Sequence, residues 1–327
     1  MPFARRYTMI LLTAIFAAML QLAPACAQPA WPSKPIHVIV GFGAGGGTDI
    51  VTRIVVQPLS ELLGQPVVVE NKPGAGGTTA GNLVAKAAAD GYTAAMLSAG
   101  HTVSAVIFKS LPYDSIKDFQ PVALVANSAF VIVAHKDFAA NDVNGLVAAA
   151  KAAPGKLTFA SVGVGSTQHF AGEMLKQRTG IEVKHIPYRN TPAVIGALRG
   201  KEVDYAVELA HAVAGQVRAG DLKVLAVTTA ERWPTLPDTQ TLTEANVPDY
   251  QVLGWYGLAF PTGTPAAIVE KMNASLKQVL SRDTVRKQLA DAGALANVST
   301  PQEFGKLVEN EIDKWGGVMK KAGIEAQ

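Results

Sequence analysis

Two short segments of the sequence combine residue types that could do chemistry. In the first, GVGSTQH at residues 163–169, Ser166 and His169 lie three residues apart. A serine beside a histidine can act as nucleophile and base, but the G-x-S-x-G elbow of the α/β hydrolases is absent. We therefore interpret Ser166 as the N-cap of a helix and His169 as a pocket or surface side chain.

The second segment, residues 36–49, reads IHVIVGFGAGGGTD. Its β-branched start predicts a buried strand at residues 36–40, followed by a glycine turn. Thr48 and Asp49 are predicted to be the N-cap of a helix at residues 50–63. A strand, a glycine turn and a helix N-terminus together favour an anion, because unpaired amides and the positive end of the helix dipole point to the same place.

The same glycines also match a dinucleotide fingerprint by their spacing. Gly41, Gly43 and Gly46 fit G-x-G-x-x-G, and Glu70 ends the next predicted strand. Against this interpretation, Asp49 in the first helical turn would face the pyrophosphate, and glycine-rich segments produce such spacings often. No Walker lysine follows the glycines, which excludes a P-loop. A secreted nucleotide-dependent oxidoreductase therefore stays open as the alternative function.

The order of predicted elements indicates an α/β fold. Strands and helices alternate as βαβαβ, which implies a parallel sheet with ligands outside the carboxyl ends of its strands. Residues 41–49, 74–79 and 98–101 are loops of that kind. The order of strand, glycine turn and helix occurs again at residues 157–169, so we expect two α/β lobes with one anion-binding loop each.

The N-terminus has the features of an export signal. A basic pair at residues 5–6 precedes an apolar stretch at residues 9–22 and an A-x-A cleavage site at residues 25–27. We expect a cleaved signal peptide at residues 1–27 and a periplasmic protein exported by ordinary secretion rather than the twin-arginine route. Cys26 would permit a lipoprotein, but the residues before it form a poor lipobox.

Composition and charge exclude several classes of function. Cys26 is the only cysteine of 327 residues, so the mature chain would lack a disulfide, a thiol nucleophile and a cysteine metal site. The histidines are too scattered for a metal cluster: His37, His101, His135, His169, His185 and His211. With 29 basic and 26 acidic residues, the chain offers no electrostatic footprint for nucleic acid. We expect no cofactor, no metal and no nucleic-acid partner.

Several motifs in a fixed order make the chain resemble a known family. They are GAGG at residues 43–46 with Asp49, LGQPVVVENKPGAGG at 63–77, DGYT at 90–93, LPYD at 111–114, KDF at 117–119, GVGS at 163–166 with His169, GWYG at 254–257 and TPQEF at 300–304. From Trp31 to the C-terminus, the chain resembles the Bug-type receptors, the substrate-binding proteins of the tripartite tricarboxylate transporter family.

The resemblance implies a periplasmic-binding-protein fold of type II, in which two lobes close on a ligand, each a mostly parallel sheet flanked by helices. The family's layout assigns residues 28–128 and 252–327 to the first lobe and residues 129–251 to the second. It implies a non-enzymatic receptor that grips a small carboxylate between the first-strand loop and the G-x-G-S loop, partly through ordered water. Its partners would be membrane permease subunits or a sensor kinase, and a monomer is expected.

The glycine loops and the resemblance together indicate the ligand-binding positions. They are Phe42, Gly43, Ala44, Gly45, Gly46, Asp49, Ser98, His101, Gly165, Ser166, Thr167, His169, Tyr188, Arg189 and Glu208. His101, Arg189 and Glu208 depart from the family's usual residues, and so does the Gly41-Phe42-Gly43 run, so these positions are expected to set ligand identity. Arg189 would favour an anionic or accepting group and Glu208 an amine or other donor, unless the two form a salt bridge or lie on a solvated rim.

Overall fold

The structure, a computed structural model, describes residues 31 to 326, and the predicted signal peptide at residues 1–27 lies outside them. The strands of this part of the chain are β1 (Ile36–Val40), β2 (Val67–Asn71), β3 (Thr93–Ser98), β4 (Phe119–His135), β5 (Thr158–Ser161), β6 (Lys184–Pro187), β7 (Tyr205–Leu209), β8 (Leu222–Val227), β9 (Leu253–Pro261) and β10 (Ala294–Ala296). The helices are α1 (Gly47–Leu63), α2 (Thr78–Ala85), α3 (Ala99–Ile107), α4 (Val143–Ala152), α5 (Thr167–Thr179), α6 (Thr191–Arg199), α7 (Ala210–Arg218), α8 (Ala266–Leu280), α9 (Asp283–Asp291) and α10 (Pro301–Ala322). None of these helices combines the length and the apolar composition needed to cross a membrane.

The strands form one sheet in the order β2-β1-β3-β9-β4-β7-β5-β6, with β8 and β10 also paired to β4. The 17-residue strand β4 belongs to both halves of this sheet. Its residues 119–129 pair with β9, whereas residues 130–135 pair with β7 and β8. We call the β2-β1-β3-β9-β4 part sheet one and the β4-β7-β5-β6 part sheet two.

Both sheets contain the predicted parallel strands. β1 pairs in parallel with β2 and β3, and β5 pairs in parallel with β6 and β7. The strands β9, β4 and β10 add antiparallel pairs, so the sheet as a whole is mixed. The α/β class is confirmed, and the parallel strands bring the loops that follow them to one edge of each sheet.

The ends of α1 show how glycine shapes the loop before it. The helix stops at Gly64, whose left-handed backbone (φ +68°) is a conformation that glycine adopts without strain. At its other end the helix begins at Gly47, with Gly46 as the N-cap. The predicted cap at Thr48 and Asp49 is therefore wrong, because both residues lie inside the first turn.

Side-chain caps begin several other helices. Asp142 accepts a hydrogen bond from a backbone N–H in the first turn of α4, and Asn190 does the same for α6. Thr300 and Glu303 form the predicted capping box at the start of α10. These caps are local signals, because each side chain bonds an amide three residues further along the chain.

The C-terminal helix α10 packs on side chains from both sheets. Near its start, Phe304 lies edge-on to Trp255 of β9, with ring centroids 5.6 Å apart. Near its end, Trp315 lies edge-on to Phe170 of α5 at 5.9 Å. All four rings are buried, so α10 contributes to the core of each half. The lobe boundaries near residues 128 and 252 stay a prediction.

The helices α3, α7 and α9, the strands β9 and β10 and the first part of β4 are absent from the sequence-based prediction. The predicted loop at residues 98–101 is the beginning of α3, and α7 follows β7 without a connecting loop. β4 starts at Phe119 rather than at residue 130. These elements matter for function because α3 and α7 both begin beside the glycine loops.

Candidate functional site

The turn between β1 and α1, which we call loop one (residues 41–46), presents a helix N-terminus to solvent. The backbone N–H of Gly46 donates to the Gly43 carbonyl at 3.2 Å, which closes the turn. Gly43, Ala44 and Gly45 are exposed. The N–H groups of the first helical turn have no acceptor within the helix, so loop one can offer them to an anion.

Asp49 stabilises the conformation of loop one by hydrogen bonds. Its carboxylate accepts hydrogen bonds from the Gly45 N–H at 2.9 Å, from the Asn71 amide at 2.9 Å and from the Arg53 guanidinium at 3.0 Å. Burial alone would raise the pKa of Asp49, but the hydrogen bonds from Arg53, Gly45 and Asn71 outweigh it and lower the pKa below its usual value. These bonds engage both carboxylate oxygens, so Asp49 holds loop one in its observed conformation.

Gly41 and Phe42 connect loop one to the second glycine turn. A Cβ at Gly41 would lie 2.6 Å from the Gly77 Cα, so no side chain fits between the two loops. The Phe42 ring lies against Gly100, where an added Cβ would be 3.4 Å from it. A Cβ at Gly100 would also lie 3.6 Å from the Ser98 hydroxyl, so Phe42 and Ser98 meet at the start of α3.

His101 is buried, and together with Phe42 and Ser98 it lines a small cavity. Its Nε2 is 2.9 Å from the Ser115 carbonyl, and its ring packs between Tyr113 and Phe119 at centroid distances of 6.0 and 5.0 Å. Burial lowers the pKa of His101, which leaves the ring neutral and lets Nε2–H donate to Ser115. The expectation that His101 sets ligand identity stays a prediction.

The turn between β5 and α5, which we call loop two (residues 162–166), is closed by Ser166. Its hydroxyl donates to the Gly163 carbonyl at 2.7 Å and accepts from the His169 N–H at 3.1 Å. Ser166 is thus the N-cap of α5, as predicted, and its hydroxyl is not directed at an imidazole. The next residue, Thr167, is buried in the first turn of the helix.

His169 supports loop two from below. Its Nδ1 accepts from the Gly165 N–H at 3.3 Å, a bond that requires a neutral ring. Burial lowers its pKa to about 4. Gly165 has a left-handed backbone (φ +81°), and a Cβ there would lie 3.2 Å from Ile107 of α3. Loop two therefore contacts the helix that begins beside loop one.

Glu208, near the end of β7, is a completely buried carboxyl group. Its Oε2 accepts from the Thr191 hydroxyl and from the Leu209 N–H, both at 3.2 Å, whereas its Oε1 has no partner among the described residues. Burial raises its pKa to about 7, and the hydrogen bonds from Thr191 and Leu209, together with the neighbouring Gln168 side chain, oppose that shift. At neutral pH a substantial fraction of Glu208 is protonated.

Tyr188 and Arg189 follow β6 at the sheet-two edge. Burial raises the pKa of Tyr188, and the neighbouring Glu202, which hydrogen-bonds to it, raises it further. Arg189 is exposed and forms no ion pair with a described residue. The predicted salt bridge between Arg189 and Glu208 is therefore absent from this part of the chain.

Three residues that the sequence does not predict surround the start of α1. A Cβ at Gly47 would lie 2.8 Å from the Tyr256 hydroxyl and 3.2 Å from the His211 Nε2. On its other side His211 is held by Ser128, whose Oγ lies 3.3 Å from Nδ1 and donates to the Gly293 carbonyl at 3.2 Å. Residues from β4, β9 and α7 thus converge on loop one.

The protonation of these groups follows from burial. Burial raises the pKa of Tyr256 to about 12, so its hydroxyl keeps its proton and can donate. Burial lowers the pKa of His211, so the ring is neutral. Because the Ser128 hydrogen goes to Gly293, Nδ1–H of His211 donates to Ser128 and Nε2 faces Gly47 as an acceptor. Only the GWYG motif at residues 254–257 pointed to Tyr256 in the sequence, and nothing there singles out His211 or Ser128.

The described residues contain no group of three or more His, Cys, Asp or Glu side chains that could hold a metal ion. What the site does contain is hydrogen-bond donors: the first-turn amides of α1, the Tyr256 hydroxyl and the turns of loops one and two. Such an arrangement suits a small anion that is bound and released unchanged. The ligand contacts of the predicted site residues stay a prediction.

Comparison with known proteins gives consistent results. The family model described as the tripartite tricarboxylate transporter family receptor matches residues 51–324. Protein BugT of Bordetella pertussis is 32% identical over 313 residues, which cover 95% of this chain and 96% of BugT.

Two solved structures of Rhodopseudomonas palustris proteins are similar throughout. One contains adipate; it has a TM-score of 0.81 and 33% identity, and the match covers 90% of this chain and 99% of that one. The other, MatC with bound malate, has a TM-score of 0.76 and 34% identity, and the match covers 88% of this chain and 99% of MatC.

Proposed function

The chain belongs to the receptor family of the tripartite tricarboxylate transporters, and we propose that it is a periplasmic receptor that captures a small organic carboxylate between loop one and loop two. The bound adipate and malate of the two R. palustris proteins support a carboxylate as the ligand class. The receptor would carry this ligand to membrane permease subunits or to a sensor kinase, without chemical change.

The observation that carries this proposal is the start of α1. An exposed glycine turn leads into a helix whose first amides are unpaired within the helix, and the Tyr256 hydroxyl lies beside Gly47. That hydroxyl has no hydrogen-bond partner among the described residues and stays protonated, since burial raises its pKa to about 12. A carboxylate at this point would receive several hydrogen bonds from neutral donors and the favourable field of the helix dipole.

The oxidoreductase alternative loses its main support. Gly41, the first glycine of the fingerprint, must be a glycine because a side chain there would clash with Gly77. The contact between the two turns therefore explains this glycine without a nucleotide. Asp49 occupies the first turn of α1 with a carboxylate held ionised by its neighbours. Neither residue therefore needs a nucleotide to explain it.

The proposed function is tested by titration with NAD and with a panel of mono- and dicarboxylic acids. Tryptophan fluorescence is a suitable signal because Trp255, next to Tyr256, is buried. Saturable binding of carboxylic acids but not of NAD is expected. Binding of NAD alone would establish the oxidoreductase class instead. Mass spectrometry of the molecule retained by the purified protein identifies the natural ligand.

Closure of the two lobes is the second part of the proposal. The predicted hinges near residues 128 and 252 lie next to each other in the β4–β9 ladder, where Ser128 pairs with Gly254 and Ala129 with Leu253. At this point β4 passes from sheet one into sheet two beside the first residues of β9, which supports a hinge there. Small-angle scattering at demonstrated saturation should show compaction, and identical profiles would remove closure from the proposal.

A further inference from the structure

Glu208 carries a hydrogen-bonding group that the protein leaves unused. The side chain is completely buried, Oε2 accepts two hydrogen bonds, and Oε1 has no partner among the described residues. Buried polar atoms are almost always paired, and an unpaired one destabilises the protein unless something else completes it. A methionine or leucine would fill the same space without that penalty, so the carboxyl group calls for a functional explanation.

The position of Glu208 places this atom among the loops that bind ligands in α/β proteins. Its partner Thr191 opens α6, its neighbour Gln168 lies in the first turn of α5, and Leu209 is followed directly by α7. Three strand-to-helix junctions of sheet two therefore meet at this carboxyl group. Such junctions form the ligand-binding edge of a parallel sheet.

The charge of Glu208 has no compensation from the protein. It forms no ion pair with a described residue, and Arg189, the cation considered as its partner, is exposed and unpaired with any described acid. Only the protonated form of Glu208 could donate to a second carboxylate of a ligand; the ionised form would meet that carboxylate without a cation between them, which is unfavourable. A ligand nitrogen that carries hydrogen would supply what Oε1 lacks.

Glu208 and the start of α1 are linked through His211. His211, which contacts Gly47, follows Glu208 by three residues across the junction of β7 and α7. Three residues of extended chain span at most about 10 Å, so the Cα atoms of Glu208 and His211 lie within that distance of each other. A ligand carboxylate at the start of α1 would therefore lie in the same region of the molecule as Glu208.

We propose that Glu208 selects carboxylic acids whose far end carries a nitrogen donor, an ammonium or a carboxamide N–H, which binds Oε1. This inference rests on the proposed function, since it assumes that the carboxylate end lies at loop one. It adds the ligand class: short amino or amido carboxylic acids rather than plain diacids.

The test compares length-matched probes by calorimetry on the full mature protein. One set is succinamic acid, 4-aminobutyric acid and succinic acid; the other is adipamic acid, 6-aminohexanoic acid and adipic acid. We expect at least one nitrogen-bearing probe to bind at least tenfold more tightly than the diacid of its set. Equal or tighter binding of the diacids by the wild-type protein overturns the inference while leaving a carboxylate receptor in place.

The variant Glu208→Gln adds a second measurement. It preserves the shape of the side chain but places an amide N–H where Oε1 stood, so it should lose the preference for nitrogen-bearing probes by at least tenfold and bind the diacids no worse. The matched control Glu182→Gln, at an exposed position before β6, should keep the wild-type preference. Equal losses for both ligand classes would mean that Glu208 acts on closure or stability, and would overturn the inference.

If Glu208→Gln does not fold, the wild-type comparison decides alone. Binding of none of the carboxylic acids, including monocarboxylic acids of the same lengths, would overturn the proposed function itself and this inference with it. The two failures are thus distinguishable by whether any carboxylic acid binds.

Discussion

The imidazole rings of His169 and His185 stack on each other, with centroids 4.0 Å apart and planes inclined by 16°. His185 Nε2 lies 2.7 Å from the Ser161 hydroxyl at the end of β5, and the Phe159 ring covers its other side at 4.7 Å. The pair forms the base on which loop two rests. Two cations could not occupy these positions together, so the loop depends on both rings being neutral.

This stack predicts a loss of stability in acid. Burial lowers the pKa of His169 to about 4; burial, with the charges of His169 and Lys176, lowers that of His185 to about 3. In the unfolded chain both rings take up protons near their ordinary pKa of about 6.5. Stability is therefore fully present above that value and falls as the pH drops through the folded pKa values.

The measurement is the urea midpoint of ligand-free protein between pH 7 and pH 4. His185→Gln, which removes one titrating ring, should show a shallower acid loss than the wild type. The control Gln288→Asn, at an exposed position on α9, removes no titrating group and should retain the wild-type slope. Identical slopes for His185→Gln and the wild type would show that the stack does not govern acid stability.

Glu208 predicts the opposite trend at higher pH. Its pKa rises on folding from 4.5 to about 7, chiefly through burial. The stabilisation is fully present below the unfolded pKa and is lost as the pH rises through about 7, a loss of about 3 kcal/mol at pH 8. Glu208→Gln, which cannot ionise, should abolish this loss, whereas Glu182→Gln should not. Chemical denaturation at pH 5 and pH 8 measures both, and an unchanged pH dependence in Glu208→Gln would contradict the assignment.

Gly47 predicts a steric effect on binding. A side chain there would meet the Tyr256 hydroxyl at 2.8 Å and His211 Nε2 at 3.2 Å. Gly47→Val should therefore displace both groups from the start of α1 and weaken carboxylate binding at least tenfold, about 1.4 kcal/mol. Gly317→Ala in α10, where an added Cβ meets nothing within 4 Å, is the control and should bind as the wild type does. Full affinity in a folded Gly47→Val protein would exclude this end of α1 from the site.

Asp49 predicts a coupled loss of stability and binding. Asp49→Ala removes the acceptor for Gly45, Asn71 and Arg53, which should cost about 1–3 kcal/mol of folding stability and loosen loop one. Asp114→Ala is a matched control, since Asp114 accepts backbone N–H bonds from Ile116 and Lys117 in a different loop. The control should lose stability alone, measured by denaturation, and keep its ligand affinity, measured by calorimetry. Equal affinities for both variants would mean that loop one needs no support from Asp49.

Features set by neighbours in sequence could be predicted, and features set by distant contacts could not. Ser166 and Thr300 cap helices because their side chains reach amides three residues on, which is visible in the sequence. The same rule gave a wrong cap at Asp49, because its carboxylate accepts hydrogen bonds from the Gly45 N–H and from the Asn71 amide instead.

The candidate site shows the same difference between features set by local sequence and features set by distant contacts. The two glycine loops follow from local pattern, whereas His211 joins the site through Gly47, Ser128 and Gly293, which are far from it in sequence. The burial of His101 against Tyr113 and Phe119 likewise depends on packing between α3 and the start of β4. No spacing rule signals such contacts, so their residues were either missed or assigned to the ligand.

The placement of β9 between β3 and β4 has a consequence for how the protein folds. β9 begins about 150 residues after β3 ends. It nevertheless pairs with β3, where Ser98 lies opposite Tyr256, and with β4 along most of its length. Sheet one therefore cannot close until four-fifths of the chain is available, and such distant pairing makes folding slow. Sheet one therefore stays incomplete while most of the chain is made, whereas every strand of sheet two precedes β9.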